Sequence, residues 1–243
     1  MRSWSPAAAS RASSTWSRPC STPATRSSSP RPTGSPTRTS VLLADGNPVI
    51  VDARIEQGFK VLPEQLEAAI TPRTRLVVIN SPSNPTGMAY DRAELEALGE
   101  VLRRHPQVLI ATDDMYEHIR WADEPFVNII NACPDLYERT SVLNGRLQGH
   151  YSHGPAGASG DAGGPAAAGS SDEGSSPQST SNPAAVSQAD RRRGLNGDQS
   201  SRINAKGLRE RHDYLGSPPW IMPGVHACTP ATSTSSPSPT AGR

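Results

Sequence analysis

Apolar side chains are concentrated between residues 41 and 145, where they form short runs separated by polar segments. Such runs, rich in β-branched residues and too short for helices, predict strands that are buried in a parallel sheet. The predicted strands are 41–43, 48–51, 76–79, 108–111 and 140–143.

Two segments between these strands predict helices. Residues 63–70 open with Pro63 and Glu64, as helix N-termini often do. Asp91 can cap a second helix, in which apolar residues follow at helical spacing up to Leu102. A strand, a helix and another strand within residues 76–111 make a βαβ unit. The expected fold is therefore α/β, with ligands bound at the carboxyl ends of parallel strands.

The flanking segments have a different composition. Residues 1–40 contain twelve Ser and six Arg but no Asp, Glu, Leu, Ile, Val or Phe, and residues 146–177 are dominated by Gly, Ala, Ser and Pro. Because such compositions bury too little apolar surface to offset chain entropy, we expect disorder in 1–40 and 146–177, a compact unit at 41–145, and poor order in 178–243. A transit peptide is the alternative for 1–40, although this segment lacks an amphipathic face.

Charge and cysteine usage exclude several classes of protein. A net charge of +1 gives no electrostatic basis for binding nucleic acid. Cys20, Cys133 and Cys228 have neither disulfide-framework nor zinc-site spacing, so no metal site is expected. No apolar run approaches the length of a membrane span. The sequence therefore predicts a cytoplasmic protein that binds neither nucleic acid nor membrane.

Two polar motifs follow predicted strands. Residues 81–87 read Ser-Pro-Ser-Asn-Pro-Thr-Gly, and residues 113–118 read Asp-Asp-Met-Tyr-Glu-His. Alone, the first is an ordinary turn and the second a loop acid near an aromatic residue. Together, in this order and spacing, they resemble the fold-type I aminotransferases that depend on pyridoxal 5'-phosphate, specifically the aspartate aminotransferase branch. The resemblance implies a fragment of that family's three-layer α/β/α large domain at 41–145, with disordered flanks.

The resemblance assigns roles to three residues of the two motifs. Asp113 would bind the ring nitrogen of the cofactor, which a carboxylate keeps protonated. Asp114 is the competing carboxylate, but the family places its acid three residues before the tyrosine. Tyr116 would donate to the cofactor's phenolate oxygen. Asn84 would contact the same oxygen and the substrate carboxylate, and would be followed by a cis peptide at Pro85.

The implied activity is amino-group transfer between an amino acid (aspartate, glutamate or an aromatic one) and a 2-oxo acid, as part of amino acid metabolism. Members of the family form homodimers, but a single fragment is the expectation for this chain because the convincing resemblance ends near residue 145. Two alternatives belong to other classes: a non-enzymatic remnant of an aminotransferase, and a disordered Ser/Pro-rich interaction protein built around a small α/β module.

The family's Schiff-base lysine has no counterpart in this chain. The family reads Asn-Gly-x-Ser-Lys after the strand that here ends at Asn144 and Gly145, which places the lysine near Gln148. This chain continues instead with Arg-Leu-Gln-Gly and has no lysine between Lys60 and Lys206. The family's arginines for the cofactor phosphate and the substrate carboxylate are absent too. We therefore expect the chain to be catalytically inactive.

A shifted reading frame accounts for the missing residues. Residues 146–149, if encoded as CGT CTC CAA GGN, give Val-Ser-Lys when read one base later. Reading residues 24–40 from the last base of each codon can give Gly-Asp-Glu-Val-Val-Ile-Pro-Ala-Pro-Tyr-Trp-Val-Ser-Tyr-Pro-Asp-Ile, which resembles the family. A single match of this kind arises easily by chance, whereas a long uninterrupted run does not. We interpret 1–40 and about 146–177 as out-of-frame translations of aminotransferase sequence.

Resequencing the gene checks this interpretation. We expect inserted or deleted bases within the codons for residues 20–41 and 145–178, where the two frames meet. A clean, single-frame read through both intervals would contradict the hypothesis.

Overall fold

The computed structural model describes residues 3–4, 26–31, 38–39, 41–42, 45–118, 120, 124–145, 160–163, 203–216, 225–226 and 238–239. The strands are β1 Ser3–Trp4, β2 Arg26–Arg31, β3 Asn47–Asp52, β4 Thr74–Asn80, β5 Leu109–Asp113, β6 Thr140–Gly145, β7 Gly160–Gly163, β8 Val225–His226 and β9 Ser238–Pro239. The helices are α1 Pro63–Ala69, α2 Arg92–Arg104, α3 Ile129–Ala132 and α4 Ile203–Gly216, with 3-10 helices at Ile55–Gln57 and Pro134–Arg139. Within these ranges, no helix combines the length and apolar character needed to cross a bilayer.

The main sheet has seven described strands in the order β1-β7-β6-β5-β4-β2-β3. Neighbouring strands from β3 to β6 pair in parallel, whereas β7 pairs antiparallel with β6 and β1 antiparallel with β7. The chain passes from β4 through α2 to β5, which is the βαβ unit that the sequence predicts. The fold is α/β, as expected.

Helix α2 is the largest apolar contribution to the core. It begins with a capping box, in which Asp91 accepts a hydrogen bond from the Glu94 amide at 2.8 Å and the Glu94 carboxylate accepts one from the Asp91 amide at 2.8 Å. Its apolar residues belong to one buried cluster with residues of α1, β3, β4, β5 and the 129–136 region. The cluster members that are no more than 1% exposed are Leu95, Leu102, Val108, Ile110, Ile129 and Cys133.

Arg139 joins the end of α2 to the start of β5. Its guanidinium donates to the carbonyls of Leu102 at 2.6 Å, His105 at 2.8 Å and Val108 at 3.0 Å. The Leu102 and His105 carbonyls also accept from the amides of His105 and Val108, so Arg139 gives each of these two carbonyls a second donor. Arg139 directly precedes β6, and it therefore ties three consecutive elements of the sheet region together.

Most of the predicted elements are confirmed, within a residue or two at their ends. One strand prediction is wrong, because Val41 and Leu42 are helical. The 41–43 run is apolar but short, and such a run does not distinguish a helical turn from a strand by periodicity.

Three described strands lie in segments whose composition predicts disorder. Ser3–Trp4 and Arg26–Arg31 lie in 1–40, Gly160–Gly163 lies in 146–177, and all three belong to the main sheet. Strand pairing uses main-chain donors and acceptors, which polar residues supply as well as apolar ones. Helix α4 likewise lies within 178–243. The division of the chain into four segments otherwise stays a prediction.

Gly99 allows α2 to approach the 3-10 helix that follows α3. A Cβ atom at Gly99 would lie 2.3 Å from Cys133 Sγ, whereas one at Gly207 in α4 would meet nothing within 4 Å. We expect Gly99→Ala to lower the free energy of unfolding by roughly 1–3 kcal/mol through overpacking, despite a helix-propensity gain of about 1 kcal/mol. Urea denaturation measures the change.

Two further variants test the cause. Gly207→Ala makes the same change in an open helical position, so its stability should be unchanged or slightly raised. Adding Cys133→Ala to Gly99→Ala removes the sulfur atom and should recover part of the loss. Equal effects of the two glycine substitutions would contradict the packing explanation.

Candidate functional site

The site lies where β4 and β5 end. The two strands pair in parallel, with Asn80 opposite Asp113 at their last residues. The carbonyl oxygen of Asp113 accepts hydrogen bonds from the Ser81 amide at 3.2 Å and from Asn80 Nδ2 at 3.3 Å. The chain segments that leave both strands are therefore joined immediately beyond the sheet, and the 81–87 and 113–118 motifs lie side by side.

The 81–87 loop is held by bonds near its base. Asn80 Oδ1 accepts from the Asn84 amide at 2.8 Å, and the Ser83 carbonyl accepts from the Gly87 amide at 2.7 Å. Gly87 has φ 70°, a left-handed conformation that favours glycine. The peptides before Pro82 and Pro85 are both cis. The loop presents the Asn84 side chain to solvent at the carboxyl edge of the sheet.

Asn84 and Tyr116 are brought together across the two motifs. Asn84 Nδ2 donates to the Tyr116 hydroxyl oxygen at 3.0 Å. The phenol oxygen is the acceptor in this bond. Tyr116 lies one turn beyond Asp113, so the amide, the phenol and the carboxyl group come from neighbouring strand ends.

Asp113 is half-buried and has few polar partners. Among the described residues, its carboxyl group accepts one long hydrogen bond, from the Met115 amide at 3.4 Å. Burial raises the pKa of Asp113 to about 6, and that hydrogen bond lowers it only in part. A carboxyl group in this situation gains most from a cationic or N–H donor ligand placed beside it, because such a ligand stabilises the charged form.

Asp114 is in a different environment, although it is the next residue. It is 1% exposed, and both of its oxygens accept short hydrogen bonds: from Thr112 Oγ1 at 2.6 Å and from Asn128 Nδ2 at 2.8 Å. Burial raises the pKa of Asp114 to about 7, with smaller contributions from the carboxylates of Glu117 and Asp113. Its oxygens are occupied within the protein, so Asp113 is the carboxyl group that faces the candidate site.

Sequence reasoning missed several residues that hold the site in place. Asn80 bonds to both motifs, and its only signal is that a polar residue ends an apolar strand. Glu117 accepts from Asn144 Nδ2 at 2.6 Å, which joins the second motif to the end of β6. Thr112 and Asn128 have no local signal, because their role depends on a fold that brings them to Asp114.

Two sequence-based expectations concern the lysine position and a metal site. The position near Gln148 where the family has its lysine lies outside the described residues. Among the residues that the structure describes, no group of His, Cys, Asp and Glu is arranged to hold a metal ion.

The hydrogen-bonding groups of the site suit a ligand that carries a protonated nitrogen and an oxygen substituent. A carboxyl group without a strong partner can bind a protonated ring nitrogen, and a phenol beside an amide can bind an oxygen substituent. The ring of pyridoxal 5'-phosphate carries both groups.

Comparison with known families and proteins identifies relatives of the chain. The family model for aminotransferase class I and II matches residues 15–145. The chain is similar to the aspartate/prephenate aminotransferase of Nitrosomonas europaea, with 50% identity over 187 residues that make up 76% of this chain and 47% of the relative. It is 62% identical over 105 residues, 43% of this chain and 26% of the relative, to the aspartate/prephenate aminotransferase of Cereibacter sphaeroides. The chain spans about half the length of these relatives or less.

A solved structure shows the same architecture. The aspartate aminotransferase of Rhizobium meliloti superposes with a TM-score of 0.81 at 35% identity, covering 86% of this chain and 52% of that one.

The raised pKa of Asp113 predicts a pH-dependent cost of folding. The folded-state pKa of about 6 exceeds the ordinary value of 3.8, so ionisation of Asp113 destabilises the fold progressively as pH rises from about 4 to 7. Asp113→Asn should therefore raise the free energy of unfolding, relative to the parent chain, by roughly 1–2 kcal/mol more at pH 8 than at pH 5. Urea titrations at the two pH values measure this.

A surface carboxylate provides the matched control. Arg103 lowers the pKa of Asp135, so Asp135 stays ionised across this pH range. The stability difference between Asp135→Asn and the parent chain should be the same at pH 5 and pH 8. A pH-independent effect of Asp113→Asn would show that its carboxyl group does not titrate in this window.

Proposed function

This chain belongs to the class I and II aminotransferase family, and on that basis we propose that it binds pyridoxal 5'-phosphate at the carboxyl ends of β4 and β5. The observation that carries the proposal is the convergence of Asn84, Asp113 and Tyr116 at neighbouring strand ends. Asn84 and Tyr116 are hydrogen-bonded to each other, and Asp113 is a half-buried carboxyl group with one weak partner among the described residues. When bound, the cofactor supplies an electron sink for chemistry at the α-carbon of an amino acid.

Each of the three residues has a separate task in this proposal. Asp113 accepts the ring N–H of the cofactor, and the positive charge beside it lowers its raised pKa, so both groups stay charged at neutral pH. Tyr116 donates its phenolic proton to the ring oxygen. The Asn84 amide, which already donates to Tyr116, orients that phenol and lies where a substrate carboxylate can approach.

The reaction of the whole protein is proposed from its relatives. It is amino-group transfer between an amino acid and a 2-oxo acid, with aspartate, glutamate or an aromatic amino acid as the amino donor. Two relatives bear the name aspartate/prephenate aminotransferase, which favours a dicarboxylic amino donor and an acceptor with the prephenate skeleton. We further propose a cytoplasmic location and, for the intact protein, a homodimer. The interaction-protein alternative is not favoured, because the family match includes the site residues.

For the chain as written, we propose cofactor binding without transamination. A transaminase needs an amine that attaches the cofactor and then moves a proton at the α-carbon. No lysine lies between Lys60 and Lys206, so the segment that directly follows β6 offers no lysine amine. Lys60 forms an ion pair with Glu94, in the first turn of α2, at 2.7 Å.

Titration with pyridoxal 5'-phosphate, followed by cofactor absorbance at pH 7, tests the binding proposal. Asp113→Ala should weaken binding by ~10- to 100-fold, since it removes a charge-assisted hydrogen bond. Tyr116→Phe removes a neutral hydrogen bond and should weaken binding by only ~5-fold. Asp135→Ala removes an exposed carboxylate that belongs to neither motif, and this variant should bind the cofactor as the parent chain does.

Borohydride treatment and an activity assay test the proposal that the chain does not catalyse transamination. We expect neither a stable cofactor attachment nor amino-group transfer from aspartate. A stoichiometric attachment to one lysine, Lys206 for example, would show that the chain has recruited another amine. Equal binding by all three variants would show that the cofactor site lies elsewhere.

A further inference from the structure

The turn that follows β5 carries two proposed cofactor ligands but is itself fixed by the residue between them. Asp113 and Tyr116 flank Asp114 and Met115. The Asp114 amide donates to the Leu143 carbonyl at 2.8 Å, and the Asp114 carbonyl accepts from the Glu117 amide at 3.0 Å. The main chain of Asp114 therefore links the turn to β6 and closes it.

The Asp114 side chain anchors the turn from below. It accepts from Thr112, which is 1% exposed within β5, and from Asn128, the N-cap residue of α3. Asn128 uses its other side-chain atom, Oδ1, to accept from the Asn131 amide at 2.9 Å. A continuous chain of hydrogen bonds thus runs from the interior of β5, through Asp114, to the first turn of α3.

This chain of bonds has a fixed direction. Thr112 and Asn128 donate, and the carboxylate of Asp114 accepts twice. Asn128 can present only its NH2 group to Asp114 as long as its oxygen caps α3. Residue 114 must therefore supply one buried acceptor atom to each of two donors. A carboxylate has two acceptor oxygens, whereas an amide has one oxygen and one NH2 group.

We propose that Asp114 is a positioning residue of the cofactor site: through Thr112 and Asn128 it holds the turn that presents Asp113 and Tyr116 to the ring. It contacts no ligand itself, since both its oxygens are used within the protein. The inference rests on the proposed function for its link to the cofactor, but the rigidity of the turn can be measured without any ligand.

The decisive variants reverse the polarity of one hydrogen bond. Asp114→Asn keeps an oxygen for Thr112 but sets an NH2 group against the NH2 group of Asn128, which then must either lose its partner or release the α3 cap. Adding Asn128→Asp restores complementarity, because the new carboxylate accepts both from the introduced amide and from the Asn131 amide. Measurements at pH 8 keep the carboxylate of the parent chain ionised, since its pKa is about 7.

Hydrogen exchange of the full chain without cofactor is the first readout. Asp114→Asn should speed exchange of the amides of residues 113–118 by ~10-fold or more, because the turn opens more often. The double variant should return these rates to within about 3-fold of the parent. Unchanged exchange in Asp114→Asn would overturn the inference.

Affinity for pyridoxal 5'-phosphate is the second readout. We expect ~10-fold weaker binding by Asp114→Asn and recovery in the double variant. Recovery of turn protection without recovery of affinity would overturn the positioning role, since it would show that charge at residue 114 matters. If the parent chain binds no cofactor, the proposed function fails, whereas hydrogen exchange still decides whether Asp114 fixes the turn.

Substitutions at Thr112 test the same inference if Asp114→Asn does not fold. Thr112→Val removes one donor with little change of shape, and Thr112→Ser retains it. The valine variant should exchange faster at 113–118 and bind the cofactor more weakly, and the serine variant should resemble the parent. Equal behaviour of the two would count against the inference.

Discussion

The parallel pairing of β4 with β5 is the constraint on which the candidate site depends. It brings the carboxyl ends of two strands, separated by α2 in the chain, to the same edge of the sheet, with Asn80 opposite Asp113. No side chain of the site could be in place without this register. Burial favours this register. If β5 shifted by one residue against β4, the Ile110 side chain would turn away from the buried cluster that it shares with Val77.

Polar residues around the strand ends convert this register into a site. Asn80 bonds to both motifs, Asp114 joins the second motif to α3, and Glu117 joins it to Asn144 of β6. Each of these side chains is satisfied by the protein, which leaves Asp113 as the carboxyl group with unused acceptor capacity. Two adjacent aspartates thus differ in burial and in hydrogen-bond partners because of the fold, although their chemistry is the same.

Local pattern in the sequence was sufficient for β3, β4, β5, β6, α1 and α2, because each has an apolar run or a capping residue that acts within a few residues. Resemblance to a family pointed to Asn84, Asp113 and Tyr116 as site residues, and the fold brings the two motifs that carry them to neighbouring strand ends. Local pattern failed at Val41 and Leu42, where two apolar residues fit a helical turn as well as a strand. It could not find Thr112 or Asn128, since nothing in either residue's neighbours along the chain reveals a partner that the tertiary fold supplies.

Strand β2 is paired on both sides in the sheet although most of its side chains are polar. Its residues are Arg-Ser-Ser-Ser-Pro-Arg, yet its backbone pairs with both β3 and β4, which do not pair with each other. Over the same six positions, the shifted reading of the codons can give Glu-Val-Val-Ile-Pro-Ala, whose three aliphatic side chains would each contribute about 1.5–3 kcal/mol if buried. If that interpretation is correct, a polar segment that occupies an inner strand of the sheet indicates codons that encode apolar residues in the shifted frame. The strand pairing of the backbone then shows where the reading frame needs to be restored.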